Sequence, residues 1–243
     1  MSVALSDRKA CQHILQILTG DRELTVKNVR TQYVISRIIS HGARLDVFAE
    51  DVKGKIYHLE IENRDETDHP KRVRFYGAVA DAELLRKGSD YRILPDRYIF
   101  YISSSDIWRS GKTIYHEKKC FEETGQEHDD GAHVIYVNTE VDDGTRIAKL
   151  MQYFKTADPE DDSEGELSKR VRYLKREEGG TEIMCEIMER IRQEGRSEGR
   201  IESDKKTAVN LFRMGMPAEK IAQVVEENVS IVKKWLEGAA QAK

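Results

Sequence analysis

The sequence has few cysteines, no long apolar run and no leader-like start, and each absence excludes a class of protein. Three cysteines lie far apart among 243 residues, at positions 11, 120 and 185, which suits neither a disulfide framework nor a thiolate metal site. No apolar run approaches the roughly 20 residues needed to span a bilayer. The first residues lack the basic and apolar regions of a signal peptide. We therefore expect a soluble, cytoplasmic protein with no membrane partner.

The sequence also lacks an excess of positive charge. Lys and Arg number 40 and Asp and Glu number 44, so the formal net charge is −4. This balance argues against coating nucleic acid by bulk charge, and any DNA contact must come from local basic patches. There is no Gly-rich phosphate loop and no G-x-S-x-G motif, and none of the histidines forms a close pair at zinc-ligand spacing.

The hydrophobic periodicity changes along the chain and predicts an α/β fold. Residues 5–18 have helical spacing, the period is two between residues 24 and 62, and residues 70–87 are helical again. Ser6 is the expected N-cap of the first helix. The short apolar runs at 97–103 and 133–138 are typical of buried strands in a mixed sheet.

An acidic stretch marks the expected domain boundary. It reads ADPEDDSEGE at residues 157–166 and holds no large apolar side chain. We predict an α/β domain over 1–156, an acidic linker and helical connector over 157–203, and a helix-turn-helix-like tail over 204–243. Because base-reading side chains are scarce in the tail, it is at least as suited to packing or to homo-oligomer formation as to reading DNA.

The segment ARLDVFAEDVKGKIYHLEIEN carries the most informative pattern. Gly54 occupies the left-handed position of a three-residue hairpin loop. The register that follows places Asp46 opposite Glu60 and Arg44 opposite Glu62. Because strand side chains alternate, these four polar residues share one face of the predicted hairpin.

Two carboxylates directly opposite each other destabilise a sheet. A divalent cation between Asp46 and Glu60 is one reason to tolerate them, since Mg²⁺ takes one or two carboxylates together with water and phosphate oxygens. The alternatives are a solvated outer face for these two acids and, for Glu62, a cross-strand ion pair with Arg44 worth at most ~1 kcal/mol.

An Asp in one strand, Glu-x-polar in the next and then a basic helix resembles the PD-(D/E)XK nuclease fold. More narrowly, RLDVFAED, YHLEIE, RVRFY and KGSDY are similar to the PD-(D/E)XK nuclease family transposases, also described as recombination-promoting nucleases. The resemblance covers most of residues 7–155, and LSKRVRYLK extends it towards residue 180. It implies a restriction-endonuclease-like mixed sheet flanked by helices, with an all-α C-terminal extension.

The resemblance also implies roles for the three acids as catalytic residues. Asp46 and Glu60 match the metal-binding acids, with Mg²⁺ as the ion and Mn²⁺ as a substitute. Glu62 stands where the superfamily has Lys and this family typically has Gln. An ionised Glu cannot donate a hydrogen bond to water or phosphate. Glu62 is therefore a third ligand, a general base, or the cause of reduced cleavage.

A basic segment, HPKRVRFYG, follows the acids. It places Lys71, Arg72 and Arg74 in the first turns of a helix, with Pro70 suited to the first helical position. A helix N-terminus with cationic side chains can hold a DNA phosphate, which makes these three the expected DNA-binding residues. The alternative is an ordinary solvated helix face.

These features lead to three hypotheses. The first is a Mg²⁺-dependent DNA endonuclease that hydrolyses phosphodiester bonds. The second is a degenerate nuclease fold that binds DNA or a protein partner. It is motivated by Glu62 and by an acidic-aromatic stretch that the resemblance implies ahead of the first helix but that the sequence does not show. Asp7 is only a poor substitute for it. The third is a structural oligomer built on the helices after residue 165.

Overall fold

The structure is a computed structural model that describes residues 1–35, 43–62, 69–85 and 87–240. Two short 3₁₀ turns, Ala4–Ser6 and Tyr91–Ile93, accompany the longer elements. In chain order the described helices and strands are α1 (Arg8–Thr19), β1 (Val26–Ile35), β2 (Ala43–Asp51), β3 (Ile56–Glu62), α2 (His69–Leu84), β4 (Arg97–Ser103), β5 (Ile114–His116), β6 (Ala132–Asn138), α3 (Arg146–Thr156), α4 (Glu166–Arg176), α5 (Glu178–Arg213), α6 (Ala218–Val224) and α7 (Val229–Ala240).

The described strands form one mixed sheet in the order β1-β2-β3-β4-β6-β5. Strand β2 is antiparallel to both β1 and β3, the strands β3, β4 and β6 run parallel, and β5 is antiparallel to β6. The predicted α/β class with a mixed sheet and flanking helices is confirmed. Sequence periodicity missed β5, which has only three residues.

The β2–β3 hairpin has the predicted register. Val47 pairs with Leu59 in the ladder, and the Asp51 N–H donates to the carbonyl of Lys55 at 3.1 Å. Gly54 has φ +83°, the left-handed conformation that the turn requires. The local turn therefore fixes which residues of the two strands face each other.

Apolar side chains bury both faces of the sheet. On one face, Val73 of α2 packs with Ile99 and Tyr101 of β4. On the other, Phe100 and Ile102 are also buried. The helix α1 contacts β1, α3 and α4. This arrangement places α2 over the face to which the even-numbered positions of β3 belong, since β3 and β4 run parallel with Glu60 beside Tyr101.

The N-cap of α1 differs from the prediction. Asp7 caps the helix, because its carboxylate accepts hydrogen bonds from the N–H groups of Lys9 and Ala10 at 2.9 and 3.0 Å. Ser6 lies one residue earlier, and its hydroxyl donates to the carbonyl of Val3 at 2.8 Å. The prediction of Ser6 as the N-cap was wrong, since Asp7 is the N-cap of α1.

A buried glutamate ties the acidic stretch to the sheet domain. Glu164 is only 2% exposed. Its carboxylate interacts with His13 Nε2 of α1 at 3.0 Å and accepts two hydrogen bonds from the Arg146 guanidinium of α3 at 2.7 and 2.6 Å. This part of the predicted linker is therefore packed against α1 and α3.

The chain divides into two compact units, residues 1–181 and 182–243. The predicted domain limits at 156 and 203 stay predictions. The second unit has its own small core, formed by Ala208, Ile221, Ala222, Val225, Val232 and Leu236. Among the described helices, none is both long and apolar enough to span a membrane.

Candidate active site

Asp46 is held in place from both neighbouring strands. Its Oδ2 accepts a hydrogen bond from the Ile61 N–H of β3 at 3.0 Å, and its Oδ1 accepts one from Gln32 Nε2 of β1 at 3.0 Å. Gln32 has φ +53°, which is uncommon for a residue with a side chain. Because each carboxylate oxygen has two lone pairs, Asp46 retains acceptor capacity in a fixed orientation.

Glu60 of β3 is buried next to this carboxylate. The residue is 7% exposed, and its Oε1 has no hydrogen-bond partner among the described residues. Burial raises the pKa of Glu60 well above its usual 4.5, and the charge of Asp46 raises it further, against the lowering effects of the Asp46 N–H and of Arg72. A buried carboxylate oxygen without a partner is costly, so this site favours either a proton or a cation.

Glu62 forms an ion pair with a basic residue of α2. Arg72 Nη1 donates to Glu62 Oε2 at 2.5 Å, and both side chains are partly buried. The sequence suggests Arg44 as the ion-pair partner of Glu62, but the Arg44 side chain lies outside the described part of the structure. Arg72, predicted to bind DNA, is thus engaged with one of the three predicted catalytic acids.

Lys71 and Arg74 point away from this pair. Both are exposed on α2, which begins at His69, one residue before the predicted start. Positions three apart lie on one face of a helix, so the two cations share a surface that Arg72 does not. The predicted basic patch therefore separates into one residue at the acids and two at the surface.

Tyr76 of α2 lies in the electrostatic field of all three acids. Burial raises the pKa of its phenol, Glu60 raises it further, and Asp46 and Glu62 add to the effect while Arg72 opposes it. The phenol therefore stays neutral as a hydrogen-bond donor. Tyr76 is not among the site residues predicted from the sequence.

Gln32 is the contact that sequence reasoning missed. Gln32 lies opposite Asp46, between the paired positions Thr31–Val47 and Tyr33–Leu45, and it has a left-handed backbone conformation there. Alternation in β1 gives no signal for such an irregularity, and no local sequence feature marks it.

His58 is buried two residues before Glu60 and has no acid–base role in this geometry. Neither ring nitrogen has a hydrogen-bond partner among the described residues, and the ring lies 5.2 Å from that of Phe48. Burial, with a smaller effect of Arg97, lowers the pKa of His58 to about 3. The imidazole is therefore neutral over the physiological range and serves as part of the core.

The donor set of Asp46 and Glu60 suits a hard divalent cation. Mg²⁺ is commonly held by one or two carboxylates and completes its shell with water and substrate phosphate. The buried Oε1 of Glu60 is an acceptor that such an ion would satisfy. Within the described ranges no three His, Cys, Asp or Glu side chains form a group that could hold a metal, so the geometry gives no support to Glu62 as a third ligand.

The fold and the comparison with known families agree on the class of protein. The mixed sheet with flanking helices is consistent with the PD-(D/E)XK α/β fold. The family model described as PD-(D/E)XK nuclease family transposase matches residues 13–211, and the chain belongs to that family. Searches of curated proteins and of solved structures found no match. Membership suggests a nuclease- or transposase-like function and implies DNA as substrate, and such nucleases usually use divalent metals.

Proposed function

We propose that this protein is a metal-dependent DNA endonuclease that hydrolyses phosphodiester bonds, with Asp46 and Glu60 as the metal ligands. One observation carries the proposal, namely the buried Oε1 of Glu60, which has no hydrogen-bond partner in the described part of the chain, beside the oriented carboxylate of Asp46. Mg²⁺ is the expected ion and Mn²⁺ the expected substitute. When bound, a divalent ion lowers the pKa of water and neutralises charge on the phosphodiester in the transition state.

The neighbours of Asp46 prepare its carboxylate for this role. Gln32 and the Ile61 N–H donate to different oxygens, so the carboxylate cannot rotate without breaking a hydrogen bond. Such outer contacts commonly contribute tenfold to a hundredfold to metal affinity or activity. We assign Gln32 as a positioning residue on this ground.

The exposed face of α2 holds the DNA backbone in this proposal. Lys71 and Arg74 supply positive charge in the first turns of a helix, where the helix dipole also favours anions. Phosphate contacts of this kind position a duplex without reading its sequence.

Glu62 accepts the proton of the attacking water in this mechanism, and Arg72 orients the Glu62 carboxylate. The pair at 2.5 Å holds the Glu62 carboxylate against α2. As an acceptor, Glu62 can take a proton but cannot make the hydrogen-bond donation that Lys or Gln would supply.

The same ion pair favours a second candidate function, a DNA-binding module without turnover. Here Arg72 neutralises an acid that stands in place of the usual donor, and the site binds DNA without cleaving it. This candidate predicts salt-sensitive DNA binding and no metal-dependent product. It also predicts that Glu62→Gln restores cleavage, whereas the endonuclease proposal predicts reduced cleavage by that variant.

The test is nicking of supercoiled plasmid in Mg²⁺ and in Mn²⁺. Wild-type protein should nick, while Asp46→Asn should not. The matched control is Glu50→Gln on the same strand, whose carboxylate binds Lys27 at 2.8 Å rather than the candidate site. Absence of nicking by wild type, or equal nicking by Asp46→Asn, would contradict the proposal.

A further inference from the structure

Trp108 is an exposed aromatic residue on the loop that follows β4. Its exposed fraction is 44%, whereas the preceding Ile107 packs into the cluster beneath α2. A large aromatic side chain at the surface has a face available for contact, and aromatic residues are common anchors of binding sites.

Asp106 holds this loop in one conformation. Its carboxylate accepts hydrogen bonds from the N–H groups of Gly111 at 2.8 Å and Arg109 at 3.1 Å, and from the Tyr115 hydroxyl at 2.7 Å. The same hydroxyl accepts a hydrogen bond from the Lys112 N–H at 3.1 Å. Although burial acts to raise the pKa of Asp106, these hydrogen bonds lower it. A ligand of this loop therefore meets a surface that is already ordered.

Trp108 forms one wall of an aromatic cleft of about 360 Å³. Its ring packs edge to face with Tyr136, with 5.2 Å between ring centroids. The cleft is lined by Pro70, Trp108, Tyr115, His116, Glu117 and Tyr136. Flat aromatic walls of this size accept a planar ring.

The cleft lies close to the candidate active site, with the buried Tyr101 of β4 between them. Pro70, in its wall, directly precedes the exposed Lys71 of α2. Tyr136 pairs with Tyr101 in the sheet, and Tyr101 pairs with Glu60. Two strand spacings separate Tyr136 from Glu60, which is about 10 Å. A DNA strand held at Glu60 can therefore reach the cleft with a neighbouring nucleotide.

The charges around the cleft select a base rather than a phosphate. Glu117 lies in its lining and repels a phosphate group, whereas Arg109 and Lys112 are exposed on the loop that carries Trp108. A DNA backbone that follows the basic loop places its phosphates near Arg109 and Lys112. A neutral base can then turn into the cleft beside Glu117 without charge repulsion. Basic grooves with aromatic stacking surfaces are the usual means of binding single strands.

We infer that the Trp108 cleft stacks an unpaired nucleobase next to the scissile bond, so the preferred substrate is DNA with single-stranded character. This inference rests on the proposed endonuclease function, because it names the substrate class of that same site. An intact duplex keeps its bases stacked and offers the cleft nothing to bind.

Trp108 fluorescence in EDTA tests the inference apart from catalysis. The chain has two tryptophans, Trp108 and Trp235, so Trp235→Phe leaves Trp108 as the reporter. Single-stranded oligothymidine should quench it. Trp108→Ala should weaken binding of that oligonucleotide by about 5- to 100-fold, and Trp108→Phe by much less. An oligonucleotide with abasic sites should bind the wild type more weakly by a similar factor.

Three results would overturn the inference. The first is equal binding of oligothymidine by wild type and Trp108→Ala, and the second is equal binding of abasic and intact oligonucleotides by wild type. The third is a loss of duplex binding in Trp108→Ala as large as its loss of oligothymidine binding. Circular dichroism checks the fold of Trp108→Ala, and if that variant does not fold, the comparison of abasic and intact oligonucleotides on wild-type protein decides. Because no metal is present, an enzyme that never nicks plasmid still reports on stacking. Asp46→Asn should lose nicking and keep the fluorescence response, which separates the two proposals.

Discussion

Glu60 and Glu164 are both almost fully buried, yet their surroundings give them opposite properties. Burial acts to raise the pKa of each carboxyl. At Glu164, hydrogen bonds from His13 and Arg146 overcome burial and lower the pKa. At Glu60, the charge of Asp46 adds to burial, and Oε1 has no partner among the described residues. The protein completes one buried acid with its own His13 and Arg146 and leaves the other to be completed by a proton or an external cation.

The largest expected effect on stability is at Glu164. Glu164→Ala should lower the free energy of unfolding by about 2–3 kcal/mol, because it removes a buried acceptor that is hydrogen-bonded to Arg146, whose own side chain is half exposed. Urea denaturation measures it. The matched control is Glu166→Ala, an exposed acid that pairs with the exposed Lys169, which should leave the midpoint unchanged. Equal urea midpoints for Glu164→Ala and Glu166→Ala would show that Glu164 does not stabilise the fold.

Glu60 should show the reverse pattern, a large effect on activity and none that destabilises the fold. Glu60→Gln should reduce the initial rate of plasmid nicking by at least about 100-fold, since it removes a charged ligand and outer contacts alone contribute up to that factor. Without metal the variant should unfold at the same or a higher urea concentration than wild type. A nicking rate within about threefold of the Glu50→Gln control would mean that Glu60 has a structural rather than a catalytic role.

The two acids should also give opposite pH dependences of stability. A raised folded-state pKa at Glu60 means that the folded protein binds the proton more tightly, so wild type in EDTA should lose stability as pH rises above 4.5. A lowered pKa at Glu164 means that its stabilisation is present above 4.5 and is lost as pH falls through the lowered value. Urea midpoints of wild type, Glu60→Gln and Glu164→Gln across pH measure both.

The advantage of Glu60→Gln over wild type should therefore grow with pH, and the deficit of Glu164→Gln should shrink towards acid. Parallel curves for Glu60→Gln and wild type would mean that Glu60 titrates as an ordinary carboxyl.

The smallest expected effect lies on α2. Lys71→Ala should weaken DNA binding severalfold at low salt and reduce the slope of log K against log salt by about 0.9, the share of one phosphate contact. Binding isotherms at several salt concentrations measure the slope. Lys87→Ala, a change beyond the end of the same helix, should leave it unaltered. An unaltered slope for Lys71→Ala would place the DNA backbone elsewhere.

The sequence was sufficient where the controlling contacts are local. Gly54 fixes the hairpin turn, and the turn fixes the register that brings Asp46 and Glu60 to adjacent strands. Alternation then predicts which residues share a face. This part of the candidate site follows from a segment of about twenty residues, as expected for a short antiparallel hairpin.

The sequence was insufficient where contacts join distant elements. Glu62 pairs with Arg72, which depends on how α2 lies on the sheet. Glu164 stands in an acidic stretch typical of a linker, but its partner His13 is 151 residues away. No periodicity encodes such packing. The choice of Asp7 over Ser6 as N-cap shows the usual uncertainty of one residue at helix ends.

The most direct test of the central contrast is calorimetric titration of the metal-free protein with Mn²⁺, in the absence of DNA. We expect one ion to bind per chain in wild type and in Glu50→Gln, and none in Asp46→Asn or Glu60→Gln. Titration in two buffers of different ionisation enthalpy should show proton release that grows towards acid pH, since the raised pKa makes Glu60 bind a proton more readily and the ion competes with that proton. Binding by Glu60→Gln equal to that of wild type would contradict the account.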